Sequence, residues 1–143
     1  MIWERSTCGR VILGGLLAGV IIDAGEFVLN GVLLNKDFED AMRSIGKEPI
    51  GSQAIAVFLA LGFLVGITAV WIYAAIRPRF GAGAKTAICA GLVVWVLTSL
   101  YTTVGQLPIG IFPTRVLVVG TVWELVQLPL ATLAGARLYK EEG

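Results

Sequence analysis

At 143 residues and 15.2 kDa the chain has the length of one ordinary domain, but 57% of it is hydrophobic, 15% is charged and the mean hydropathy is +0.84, a composition that excludes a soluble globule. A formal net charge of +1, with no basic stripe or stacking motif, argues against a nucleic-acid partner. The absence of histidine removes imidazole metal ligands, axial histidine for haem and any Ser-His or Cys-His catalytic pair, so neither a cofactor nor a metal is expected.

Four stretches, roughly 11–34, 54–76, 87–109 and 116–136, are apolar over a sufficient length. Crossing about 30 Å of hydrocarbon takes about 20 helical residues. The expected fold is all-α: an integral membrane four-helix bundle, one membrane domain over 1–143. The first span follows Glu4, Arg5 and Arg10, as a secretory signal would, but no small-x-small cleavage site closes it and its apolar pattern resumes beyond Glu26. Charged residues also precede Cys8, which speaks against a lipoprotein cysteine. Cys8 and Cys89 both fall near the basic ends of their spans, and two free thiols are expected.

Between the first two spans, Phe38, Ala41, Met42 and Ile45 recur at i, i+3, i+4 and i+7, with Asn35 or Asp37 as caps and Gly46 then Pro49 as stops. This predicts a short amphipathic helix over about 36–45 on the external side, either a connecting helix in the interface or a lid over the bundle mouth. No charge occurs between Glu48 and Arg77 or between Lys85 and Arg115, so the second and third spans are unbroken. Gly15 and Gly19 in the first span, and Gly62 and Gly66 in the second, have the four-residue spacing that lets helix backbones approach, and packing within the chain is expected of them. Trp3, Trp71 and Tyr73 are expected as anchors at one boundary and Phe112 at the other, with Trp95 and Trp123 packed deeper and Pro129 kinking the fourth span.

Basic residues near span ends are retained on the cytoplasmic side. Arg5, Arg10, Arg77, Arg79, Lys85, Arg137 and Lys140 flank one side, against Lys36, Arg43, Lys47 and Arg115 on the other, which places both termini in the cytoplasm. The helix pairs beginning at "RVILGG" from Arg10 and "KTAICA" from Lys85, and ending at "AAIR" and "AGAR", suggest a parallel repeat about an axis along the membrane normal.

The acidic residues carry the most specific signal. Asp23, Glu26 and Asn30 lie at i, i+3 and i+7 on one face of the first span, and Glu124 and Gln127 share a face of the fourth with Gly120 and Ala131. Counted from the external ends, Glu26 and Glu124 lie about 12 Å deep and Asp23 and Gln127 about 16 Å at 1.5 Å per residue, so the polar layers coincide. Aligning Arg10 with Lys85 sets Thr98 opposite Asp23 and Tyr101 opposite Glu26. An internal cluster of Asp23, Glu26, Tyr101, Glu124 and Gln127, with Thr98 beside it, is therefore expected.

An acidic residue near the centre of a membrane helix is disfavoured by roughly 3 kcal/mol on insertion scales, so these groups should face the interior. With no Lys or Arg at that depth, Glu26 and Glu124 are expected to share a proton. Such a cluster fits proton- or cation-linked movement of a small solute, and equally fits neutral carboxyls that brace the helices through bonds worth about 0.6 to 2 kcal/mol each.

Neither a phosphate-cradling glycine loop nor a CxxC occurs. An aspartyl-type membrane hydrolase needs two intramembrane aspartates, where Asp23 stands alone. The chain is thus not expected to be an enzyme. The segments "GGLLAG", "GEFVLNGVLL", "WIYAAIRPRFG" and "GTVWELV" resemble small four-helix membrane proteins of bacteria that carry no assigned activity, which implies a multi-pass protein of the bacterial inner membrane. In size and in its first-span glutamate the chain is also similar to small multidrug-resistance transporters, but it departs from them in its one-sided Lys/Arg bias and its further acids in spans one and four. The expected function is a non-catalytic accessory or assembly subunit of a larger membrane complex, with the lipid bilayer and a membrane-protein partner or a second copy as its contacts. The alternative is a proton- or cation-linked small-solute transporter or channel using the buried carboxylates.

Overall fold

A computed structural model describes residues 5–48 and 50–139, with side chains from Cys8 onward. Trp3, Pro49 and Lys140, which the sequence assigns to an anchor, a helix stop and the basic end, lie outside the described residues, as does the side chain of Arg5.

Four helices are long and apolar enough to cross a membrane, at Cys8–Leu33, Ser52–Phe80, Ala84–Ile109 and Thr114–Leu138. The first comprises α1 (Arg5–Val28) and a π-helical turn at Leu29–Leu33. The short helix α2 (Asn35–Ser44) follows, then the second span α3 (Ser52–Phe80). The third span is built from α4 (Ala84–Trp95), a second π-helical turn (Val96–Leu100), α5 (Tyr101–Gln106) and a 3₁₀ turn (Leu107–Ile109); α6 (Thr114–Leu138) is the fourth. No strand occurs among the described residues. The last three spans begin two or three residues before their apolar runs, because the polar first turns at Ser52, Lys85 and Thr114 continue the helix beyond the hydrocarbon layer.

The spans run up and down in sequence and close into a bundle: α1 packs on α3 and α6, α4 packs on α6 and α3, and α3 also meets α6. Lipid tails are as apolar as leucine, so close backbone contact has to replace the hydrophobic effect between helices. Residues without side chains supply it. A Cβ added at Gly66 would strike the backbone of Gly19 and Gly15, and one at Gly15 or Gly19 would strike Ile67 or Phe63, so the two expected glycine pairs form the α1–α3 interface within the chain. Gly62 lies against Asp23. On the other side of α1, Gly14 and Gly135 meet backbone to backbone, and Gly91 of α4 rests on the backbone of Pro129. Pro129 thus sits where α4 approaches most closely, inside a helix that continues unbroken to Leu138.

One end of the bundle holds the described chain ends and the α3–α4 connection. There Tyr73, expected as an interfacial anchor, is instead buried: its hydroxyl accepts the Gly83 N–H at 3.3 Å and its ring meets Tyr139 edge-on at 6.1 Å. The turn needs Gly81 and Gly83 at φ +87° and +129°, and only glycine adopts such angles freely, so a group that holds the turn is worth more here than an anchor in the interface. Trp71 remains half exposed on the outer face, and the Arg77 guanidinium lies 5.7 Å over the Tyr139 ring.

The opposite end is covered by α2. Its observed range matches the expected amphipathic helix within a residue at each end, although neither Asn35 nor Asp37 caps it with a side chain. Gly46, at φ +73°, ends it, with the Lys47 N–H returning to the Met42 carbonyl at 2.9 Å. Phe38 meets Phe112 edge-on at 5.7 Å, and Asp37 pairs with Arg115 at 3.2 Å. Beneath Phe38, a small apolar cluster of Leu29, Leu34 and Val116, with Val119 and Trp123 against it, separates α2 from the bundle interior.

The α1–α3 contact gives a direct test. Gly66→Ala forces two backbones apart and should destabilise the protein by about 1–3 kcal/mol. Gly120→Ala, which enters open space, should stay within about 0.5 kcal/mol of the parent. Unfolding of both variants in mixed micelles is the measurement, and equal midpoints would show that the glycine contact does not limit stability.

Candidate functional site

The polar side chains meet about two turns below the α2 end, at a level fixed by the packing of α1 against α6. Gly25 of α1 lies directly against the Gln127 side chain, which leaves room for Gln127 to reach its neighbour. Gln127 donates from Nε2 to Glu26 Oε1 at 3.1 Å, and its Oε1 accepts the Trp123 indole N–H at 2.8 Å. Asn30 donates to Glu26 Oε2 at 2.7 Å, one turn along the same helix. Both Glu26 oxygens and both polar ends of Gln127 are thereby engaged.

Glu124 joins the cluster from α6. Its Oε2 accepts a hydrogen bond from the Ser99 hydroxyl, and the Glu26 carboxyl is its neighbour. Two carboxyl groups placed together attract one another only through a proton held between them; as two carboxylates they repel. Glu26 of the first span and Gln127 and Glu124 of the fourth thus meet in the structure, and Ser99 brings in the third span. Gln127 and Ser99 are buried. No group of three or more Asp, Glu or Cys side chains among the described residues gathers closely enough to hold a metal ion.

Asp23 is placed apart from these. Three residues advance a helix by 300°, so Asp23 and Glu26 point about 60° apart, and α1 has a different neighbour on each side. Glu26 faces α6, whereas the Asp23 carboxyl rests on Gly62 of α3, with Oδ2 buried and without a hydrogen-bond partner among the described residues. Both Cys8 and Cys89 are free and exposed on the outer face.

Tyr101 does not enter the cluster either. It is 78% exposed on the bundle's outer surface, and Thr98 bonds back to the Val94 carbonyl at 2.8 Å. The cause is the π-helical turn at Val96–Leu100. The inward face of α4 runs through Ala87, Ala90, Gly91 and Val94, and at the α-helical period it would continue to Leu97 or Thr98 and then Tyr101. A π turn holds one residue more, which rotates everything after it by about 100°. Ser99 takes the inner position, and Thr103 follows it inward to hydrogen-bond Thr121. Ser99 thus escapes a reading of the sequence at fixed period, with the hydroxyl pair Thr98-Ser99 as its only signal. Trp123 and Trp95, expected only to pack, also donate: Trp95 Nε1 reaches the Thr121 carbonyl at 2.9 Å and ties the third span to the fourth.

Gln127 is the bridge on which this arrangement turns. Gln127→Leu leaves the Trp123 N–H and one Glu26 oxygen without partners and should cost about 1–3 kcal/mol. Asn30→Leu, at a half-buried position nearer the bundle end, should cost less. Unfolding titrations in mixed micelles compare the two, and an equal loss would deny Gln127 its bridging role. No family model, curated protein or solved structure matches this chain, so its site is described by its own geometry alone.

Proposed function

We propose that this chain is a non-catalytic integral membrane protein that serves as an accessory or assembly subunit of a larger membrane complex. The observation that carries this reading is an open side at the α2 end. From Ser52 to Leu61 every residue of α3 is exposed except the half-buried Ala54, so more than two turns of that helix pack on nothing within the chain. At the same level of the third span, Thr98, Tyr101, Thr102 and Gly105 are exposed. Hydroxyls and a small residue on the outer face of a membrane helix are the surface that another helix covers with packing and hydrogen bonds. The carboxyl cluster, with its acceptors engaged by Gln127, Asn30 and Ser99, then acts as a brace that keeps the spans in register.

On this reading the chain is a single membrane domain in a bacterial inner membrane, with both termini cytoplasmic. The larger set of Lys and Arg at the end holding the chain ends supports that orientation. The similar helix starts at Arg10 and Lys85 fit a parallel repeat of two helix pairs.

A photo-reactive maleimide carried by Tyr101→Cys, in a background of Cys8→Ser and Cys89→Ser, tests the open side. A discrete protein adduct is expected from this position and not from Val20→Cys on the exposed face of α1. An adduct of twice the chain mass would identify a second copy as the partner, and lipid adducts alone from both positions would refute the reading.

The contact between Glu26 and Glu124 supports a second reading, a proton- or cation-linked transporter or channel for a small solute. Proton-dependent flux in liposomes that is lost in Glu26→Gln would establish it, and flux unchanged by that substitution would exclude it.

A further inference from the structure

The outer surface of the bundle carries an apolar groove with an arginine at one end. It lies between α1 and α6 at the end that holds the chain ends, has a volume of about 360 Å³, and is lined by Leu17, Leu130, Leu133, Ala134, Arg137 and Leu138. Pockets of about 300–1,000 Å³ are the size that takes a small ligand. The groove follows from the helix packing: contact of Gly14 with Gly135 brings the two backbones together, and the leucines on either side stand up as walls.

Its polarity is ordered along the membrane normal. Leu130 lies seven residues before Arg137, or about 10 Å deeper at 1.5 Å per residue. Arg137 occupies the last turn of α6, at the same end of the bundle as the basic residues Arg10, Arg79 and Lys85. It is exposed and makes no hydrogen bond or ion pair with any described residue. A guanidinium at one end of the groove, with Leu17, Leu130, Leu133 and Ala134 deeper than it, is complementary to one kind of molecule, a phosphate ester that carries a hydrocarbon chain.

We propose that this groove is a binding site for an anionic phospholipid, with one acyl chain lying along Leu17, Leu130 and Leu133 and the phosphodiester paired with Arg137. The planar fork of Arg137 meets two phosphate oxygens at once, which an ammonium cannot do. An anionic headgroup is preferred over a zwitterionic one because it brings no cation of its own into a region already occupied by several basic side chains. This assignment is independent of the partner reading above: the groove lies on α1 and α6 at one end of the bundle, and the open side lies on α3 and α5 at the other.

The full-length protein in phosphatidylcholine bilayers, probed with spin-labelled phosphatidylglycerol and spin-labelled phosphatidylcholine of the same chain length, provides the test. The motionally restricted fraction should favour phosphatidylglycerol by about fivefold, the worth of one basic side chain near an anionic lipid. Arg137→Gln should bring the ratio to about one, Arg137→Lys should keep part of it, and Ala134→Phe, which fills the groove, should remove it. Arg79→Gln and added inorganic phosphate should leave it in place.

A parent ratio near one would overturn the proposal, as would a ratio unchanged in Arg137→Gln. Loss in Arg79→Gln equal to that in Arg137→Gln would assign the selectivity to diffuse surface charge. Retention in Ala134→Phe would remove the groove from the account, and competition by inorganic phosphate would make the site one for the free anion.

Discussion

Setting Glu26 and Glu124 about two turns inside a hydrocarbon layer obliges three spans to meet at one level, because nothing in that layer except the protein offers a hydrogen bond. The chain answers with Gln127, Asn30 and Ser99, and with the two carboxyls placed against each other. α6 cannot slide along α1 without parting Gln127 from Glu26, and the third span cannot rotate without withdrawing Ser99 from Glu124. The cluster sets register as well as position.

Close packing is the second half of the same constraint. A hydrogen bond from a side chain as short as that of Ser99 requires helix axes that lie near one another, and glycine is what permits that approach in lipid. Gly66 admits the backbone of α1, Gly135 admits Gly14, and Gly91 admits the backbone around Pro129. Gly25 has a different task, since it leaves space for the Gln127 side chain. The bundle is therefore tight where α1, α3 and α6 cross, and at the end where Tyr73 and Arg77 meet Tyr139. It opens toward the other end, where the first turns of α3 leave their neighbours. Polar bracing and open surface coexist because the glycines that meet a neighbouring backbone lie in the tight region, whereas Gly105 and Gly120 face open space.

α2 belongs to this arrangement as a cover. Its apolar face carries Phe38 onto Phe112 and onto the cluster of Leu29, Leu34 and Val116, which stands between the carboxyls and that end of the bundle. The exposed pair of Asp37 with Arg115 contributes little to stability at such a position. The ring contacts hold the helix down, and the pair aligns it.

The sequence by itself determined the number of spans, the amphipathic helix between the first two, the glycines of the α1–α3 contact and the common depth of Glu26 and Glu124. Each of these depends on composition or spacing along one helix, and a helix has a fixed rise and period whatever surrounds it. Only the tertiary structure decided which neighbour each face meets. Asp23 and Glu26 share a stripe on α1, yet one rests on α3 and the other on α6 because the boundary between those two helices falls between them. Ser99 displaced Tyr101 because one π-helical turn changes the phase of every residue beyond it, and the fixed α-helical period by which the third span is read from its sequence does not contain that turn.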